Sequence, residues 1–382
     1  MNKKKYYIKH PLIRFVFTLA DFIGNFTNLI RSNHKSGNGT DFNPNKILLI
    51  QLDKIGDIVL STPAVEALRS SFPKANIDFL SSCETDKLLI NNPNLNKIVV
   101  FDSILFNFKR LRILHVFKNI LLLKKLRAES YDILIDLRAD IRSIFIMWLI
   151  GGKRRISQEI RSGGFLLTDI APYKGINHET RRKLDIVEYI SGKKWCKVPA
   201  KQVYYDAVDK EYVDSLLRSY NADAYAVIHA TAGWRYREWP GEYFLKTSKW
   251  IKNNLNIKVF WVGSRNEWRN LEKFIHDEEG IHNLSGKLTL NQLAYLLKNT
   301  RLFIGNDSGV MHIADSFEIP VIALFGPNDP VRYGPTGKNA EVIYRKVKCS
   351  PCSQTACNLR PNCMERITVD EVISAIKKLM AA

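Results

Sequence analysis

The chain reads as an α/β protein built from two Rossmann-like domains in series. Three features predict this: short runs that are almost wholly Val, Ile and Leu, longer amphipathic runs between them, and a restart of the same alternation near mid-chain. Strands that are apolar at nearly every position are buried on both faces, and such strands separated by helices form a parallel sheet covered on both sides. With 382 residues, 46% of them hydrophobic, the chain exceeds what one core usually serves, so two domains are expected.

In order along the chain, strands are expected at 47–52, 77–80, 98–101 and 133–137, with helices at 64–72 and 113–126. A weakly patterned, basic stretch follows. Strands then resume at 224–229, 258–262, 302–305 and 321–325, with helices at 242–254, 267–276 and 291–299. These elements define domains at 46–205 and 206–382. Residues 1–45 form an appendage: a Lys-rich start, an apolar stretch holding Phe15, Phe17, Phe22, Phe26 and Leu29, and a polar loop from Ser32 to Gly39. Flanked by Lys3, Lys4, Lys5, Lys9 and Arg14, the apolar stretch suits either a helix in a membrane interface or one packed on its own domain.

That stretch does not reach the length of a spanning helix, because Arg14, Asp21, Asn25 and Asn28 interrupt it. It also lacks the small-residue cleavage site of a signal peptide. Four of the six cysteines crowd between Cys349 and Cys363 instead of spreading as a disulfide framework, which points to a reducing, cytoplasmic location.

The net charge is +19, which favours an anionic partner: nucleic acid, phospholipid or an acidic glycolipid. Residues 1–200 hold 33 Lys and Arg against 18 Asp and Glu, whereas residues 201–382 hold 24 against 20. The basic excess therefore belongs to the first half. A nucleic-acid binder is disfavoured, since no binding motif with interleaved aromatics occurs and acidic groups stand at two strand ends.

In open parallel sheets, ligands bind beyond the carboxyl ends of the strands. The first such junction, Ile47 to Asp57, carries two carboxylates four residues apart, with Gly56 leaving the backbone open to a ligand. Asp53 and Asp57 either cap this turn or offer a carboxylate that accepts a proton from a hydroxyl nucleophile. The second, Leu302 to Asp315, runs a strand into a helix start at Asp307, Ser308 and Gly309, an arrangement suited to a pyrophosphate. His312 follows one turn later on the face of Ser308, as a core residue or a ligand contact. At the third, Ile228 to Pro240, Thr231 and Arg237 present a hydroxyl and a guanidinium that match phosphate oxygens. The fourth ends in Glu267, which suits a ribose hydroxyl pair, and the fifth is the rigid Phe325-Gly326-Pro327-Asn328-Asp329-Pro330 turn.

The Leu52-to-Asp57 turn, the run from Gly305 to Ala314 and the turn from Phe325 to Pro330 together resemble the bacterial ADP-heptose:lipopolysaccharide heptosyltransferase family, over residues 46–375. The resemblance implies the GT-B architecture, two Rossmann-like domains facing across a cleft. It assigns the acceptor to the first domain and the nucleotide sugar to the second, with inversion at the anomeric carbon and no bound metal or other cofactor. Asp57 resembles the general base. Asp307 is similar to the residue that holds the donor sugar, Ser308 and Gly309 to pyrophosphate contacts, Glu267 to a ribose contact and Thr231 to a phosphate contact. Arg237 stands where the family frequently has Lys, and Leu288 falls in the stretch that lines adenine. The implied acceptor is an acidic, lipid-linked core sugar, with Gly56, Arg138, Arg142 and Arg161 as candidate contacts and an anionic membrane as a partner surface. A nucleotide-sugar epimerase or a transferase for another sugar shares the donor-site pattern.

Cys349, Cys352, Cys357 and Cys363 are spaced C-x2-C-x4-C-x5-C. They are candidates for zinc ligands or for free structural thiols, because the spacing fits no standard ribbon or finger.

Overall fold

In the computed structural model, which describes residues 43–101, 113–158, 163–175, 177–352 and 357–381, the chain divides into two compact units, Met1–Ala200 and Lys201–Ala382. Residues 1–42, most of the expected appendage, lie outside the described residues, as does Arg161.

The first unit runs β1 (Lys46–Gln51), α1 (Ile55–Val59), α2 (Thr62–Ser71), β2 (Asn76–Ser82), β3 (Lys97–Phe101), α3 (Ile113–Ala128), β4 (Ile133–Asp136), α4 (Ile141–Ile150), β5 (Arg154–Ser157), β6 (Asp169–Ile170) and α5 (Glu179–Ser191). Its sheet is parallel throughout, in the order β3-β2-β1-β4-β5-β6. The second runs α6 (Ala207–Ser219), β7 (Tyr225–His229), α7 (Gly241–Leu255), β8 (Lys258–Trp261), α8 (Trp268–Ile275), β9 (Ile281–Asn283), α9 (Leu290–Lys298), β10 (Leu302–Asn306), α10 (Gly309–Asp315), β11 (Val321–Phe325), α11 (Pro330–Tyr333), β12 (Ala340–Tyr344) and α12 (Val369–Met380). Its parallel sheet is ordered β12-β11-β10-β7-β8-β9. Counted within each unit, both sheets read 3-2-1-4-5-6, the doubly wound order whose switch point lies between the first and fourth strands.

Side chains account for these elements. The core of β1, Ile47 to Ile50, and all of β10 are fully buried, as expected of central strands covered on both faces. Helices α6, α9 and α12 each begin in a capping box, with Asp206, Thr289 and Thr368 accepting from the N–H three residues on. Gly192 closes α5 at φ 71°, a left-handed position that costs glycine little. On one face of the first sheet, Leu48, Ile50, Leu80 and Leu134 pack against Leu126, Ile144, Met147 and Ile150 of α3 and α4. Trp239, Phe244 and Trp261 anchor the second core. Lys201, the first residue of the second unit, is buried in an ion pair with Asp315 and donates to Thr336.

The strands and helices expected from the sequence are present, and four strands are additional. β5 begins with two arginines, β6 and β9 have two and three residues, and the edge strand β12 is half-buried along its length; none shows an apolar run. The segment from Asp53 to Asp57 is not a simple tight turn, since Asp57 lies in the first turn of helix α1. Among the described residues no helix is long and apolar enough to cross a membrane.

Candidate active site

At the switch point of the second sheet, β7 and β10 run side by side with His229 level with Gly305. Beyond their ends, the buried His229 ring bridges two hydroxyls, with Nε2 3.2 Å from Thr231 Oγ1 and Nδ1 3.1 Å from Ser308 Oγ. Burial drives the imidazole down to about 4, so the ring is neutral at pH 7. Burial favours the neutral acid of Glu267, but hydrogen bonds from Ser264 and Thr231 outweigh it and hold the carboxyl below its ordinary range. An ionised carboxylate only accepts. Thr231 therefore donates to Glu267, His229 Nε2–H donates to Thr231, and Ser308 donates to Nδ1. The Ser308 hydroxyl, which does not cap α10, is left as an acceptor, and donors for an anion must come from backbone N–H groups and Arg237.

Arg237 lies in a 3-10 turn, Arg235–Arg237. Its Nη1 is 3.4 Å from Asp307 Oδ2, its Nη2 donates to Asn328 Oδ1 at 3.1 Å, and the guanidinium stacks over Trp234 at 5.0 Å. Its Nε is buried with no hydrogen-bond partner among the described residues. Asn328 also donates to Asp307. The fully buried Asn306 accepts from Trp239 N–H and donates to Ala230 O, each at 2.9 Å, and so fixes both ends of the loop that carries Thr231 and Arg237. A Cβ at Gly263 would lie 3.2 Å from Glu267 Oε2 and 3.0 Å from Ser285 Oγ, so glycine leaves room for that carboxylate. Leu288 is half-buried in the turn before α9, and this turn is tied to the end of β8 by Gly286 N–H donating to Gly263 O. His312 is buried in α10.

At the switch point of the first sheet, β1 leads to Asp53 and β4 leads to Arg138, which form an ion pair. Asp53 also accepts from Gln51 at 2.6 Å. Burial and the neighbouring Asp57 push its carboxyl up to about 7, against the pull of Arg138 and Lys183. Asp57 is half-buried, and among the described residues no hydrogen bond reaches its carboxylate. Gly56 precedes it in α1. Arg142 is spread on Asp140, with Nε 2.7 Å from Oδ1. Its hydrogen bonds and the Arg138 charge outweigh burial and hold that carboxyl down at about 2. From α5, the fully buried Lys183 donates to Asp57 O at 2.6 Å, while Arg182 donates to Glu179, Gln158 and Leu137 O.

Glycosyltransferase family 9 (heptosyltransferase) matches residues 120–362, more than half of the chain. The chain belongs to this glycosyltransferase family. Among similar proteins, lipopolysaccharide heptosyltransferase 3 of Escherichia coli is 27% identical over 85% of this chain and 95% of its own length. Lipooligosaccharide heptosyltransferase 2 of Campylobacter jejuni is 25% identical over 85% and 96%. In fold, the chain is similar to a family 9 glycosyl transferase from Veillonella parvula (TM-score 0.78, 20% identity, 90% of this chain and 99% of that one). It is also similar to E. coli heptosyltransferase WaaC with ADP (0.71, 17%, 87% and 99%).

In this glycosyltransferase the four clustered cysteines are free thiols. Among the described residues no group of three or more His, Cys, Asp or Glu is placed to hold a metal. Cys349 is exposed and Cys352 half-buried, while Cys357 and Cys363 are buried. Cys363 packs where a Cβ on Gly326 would lie 2.8 Å from its sulfur. Burial and the adjacent thiols push Cys352 up to about 11, which leaves it a protonated thiol.

No junction motif by itself gives a role to His229, Asn306, Asn328, Asp140, Arg182 or Lys183. The first was visible as a polar residue closing an apolar strand run. Lys183 was visible as a charge at i with Leu184 and Val187 at i+1 and i+4, on the apolar side of α5.

Proposed function

We propose that this glycosyltransferase moves a heptose from ADP-heptose to the inner core of lipopolysaccharide, inverting the anomeric centre, with Asp57 as general base. The reading is carried by the Thr231–His229–Ser308 and Arg237–Asp307 clusters at the second switch point, and it is supported by relatives named lipopolysaccharide heptosyltransferases and by solved neighbours described with ADP and with an ADP-heptose analogue.

In this mechanism Asp57 takes the proton of the acceptor hydroxyl as its oxygen attacks the anomeric carbon and the bond to the β-phosphate breaks. Charge then grows on the departing pyrophosphate, where Arg237 and the backbone N–H groups at Ser308 and Gly309 meet it. Asp307 holds the sugar hydroxyls, Glu267 and the acceptor oxygen of Ser308 suit ribose hydroxyls, and Leu288 lies along the adenine. His312 supports the helix start. Asp53 is a poorer base, because Arg138 and Gln51 already occupy its carboxylate. Arg142 is the more exposed of the two described arginines proposed for the acidic acceptor, with its side chain 40% exposed against 16% for Arg138, and Gly56 gives the acceptor room beside Asp57. No metal takes part in this scheme. The lipid-linked acceptor places the enzyme at the cytoplasmic face of the inner membrane, with the basic first half toward anionic lipid.

The test is a panel of ADP-, UDP- and GDP-sugars assayed by release of free nucleoside diphosphate with a truncated core acceptor. Acceptor-dependent release of ADP from ADP-heptose is expected; preference for a UDP- or GDP-sugar would overturn the donor assignment.

A further inference from the structure

Helices α3 and α4 cover one face of the first sheet, and each presents a second apolar face to solvent. In α4, Ile144, Met147 and Ile150 enter the core, whereas Phe145 and Trp148, three residues apart and stacked at 5.7 Å, point outward and are exposed. In α3, Leu122, Leu123 and Leu126 pack inward, while Phe117, Ile120 and Leu121 are exposed, Phe117 and Leu121 by 61% and 58%. Arg127 of α3 donates to Leu149 O of α4 at 3.1 Å, which joins the two helices. Exposed apolar helix faces mark a contact surface, and here two joined helices expose five large hydrophobics.

The charges around this face identify its partner. Neither helix contains an acidic residue, and together they carry Lys118, Lys124, Lys125, Arg127 and Arg142. Aromatic and aliphatic side chains rimmed by cations, with Trp among them, match the interface of an anionic bilayer, where the rings enter at headgroup depth and the lysines meet lipid phosphates. A protein partner of matching apolar character gives no reason for the complete lack of acidic residues.

We propose that the outer face of α3 and α4 docks on anionic membrane, with Phe117, Leu121, Phe145 and Trp148 inserted and Lys124 and Lys125 against the headgroups. This names the surface by which the basic first half would meet anionic lipid and rests on that part of the proposed function, but none of the inserted residues is used in the proposed reaction and its test needs neither sugar nor nucleotide.

The experiment is co-flotation of the full chain with vesicles of phosphatidylglycerol and phosphatidylethanolamine, or of phosphatidylcholine alone. The wild-type chain should float with the anionic vesicles and stay behind with the neutral ones. L121S/F145S/W148S should bind at least about tenfold more weakly. K124Q/K125Q should lose about thirtyfold, the factor that two basic residues contribute near an anionic surface. Because all five positions are on the exposed side, circular dichroism and turnover of a soluble acceptor should be unchanged. Equal flotation of the wild-type chain and the triple variant would overturn the proposal. So would a wild-type dimer that the triple variant converts to monomer without change in flotation, which would make the face a contact between copies.

Discussion

The ammonium of Lys183, wholly buried on α5, donates to the main-chain carbonyl of Asp57 at 2.6 Å. Burial lowers the pKa of this lysine, and the charges of Asp57, Glu179 and Asp53 oppose that fall. Lys183 thus fixes the backbone of the proposed base from beneath the first turn of α1. Lys183→Met keeps the length and removes the charge. It should reduce kcat about tenfold or more while leaving the donor KM unchanged, because the base loses the contact that positions its backbone. A purely structural lysine would lower the melting temperature and leave kcat of the folded variant unchanged.

Asp53 gives a pH dependence of stability with a definite sign. Its carboxyl titrates at about 7 in the folded chain against 3.8 unfolded, so across that window the folded state binds the extra proton. Its contribution is fully present below the unfolded value and is lost as pH rises toward 7, with a slope of at most about 1.4 kcal/mol per pH unit. Denaturant midpoints measured between pH 4 and 8 should show the wild-type chain losing ground to Asp53→Asn over this range. Parallel curves would refute the shift.

The Ser308–His229–Thr231–Glu267 chain of hydrogen bonds should matter for donor binding and little for folding of the first unit. His229→Phe keeps a ring in the site but removes both nitrogens, so Thr231 and Ser308 lose their common partner. ADP affinity measured by calorimetry should fall about tenfold, in line with one or two lost hydrogen bonds. An unchanged Kd would show that these hydroxyls do not position the nucleotide site.

Arg237 tests geometry against charge. Its guanidinium bonds Asn328, faces Asp307 and stacks on Trp234 at the same time, which one ammonium cannot do. Arg237→Lys should raise the donor KM, and Arg237→Ala should cut kcat/KM by a further factor of about 30 or more, the scale of a charge-assisted bond to a phosphate. Equal activity of the two variants would show that the charge has no role in transfer.

Both sheets were legible because each central strand is a local apolar run and each junction motif is contiguous in sequence. Asp53, Asp57, Asp307 and Ser308 were found at strand ends for that reason. β5 and β6 were not legible, because Arg154 reaches over to Asp169 and only that pairing makes a basic strand reasonable in a sheet. Lys183 lies 126 positions from Asp57, and Asn306 lies 67 from Trp239. Long-range contacts of this kind leave no local pattern beyond a polar residue in an apolar setting. The chain carries Cys349 outward and Cys363 inward, a difference that cysteine spacing alone does not indicate.

The most direct measurement is turnover by Asp57→Asn, set beside its affinity for ADP. The substitution preserves size and removes the proton acceptor. A positioned general base contributes a factor of about 100 to 10,000, so kcat should fall on that scale while the Kd for ADP, whose proposed site is in the second unit, should stay within about twofold of wild type. Near wild-type turnover in a folded Asp57→Asn protein would contradict the assignment of Asp57 and move the search for the base to Asp53 or His312.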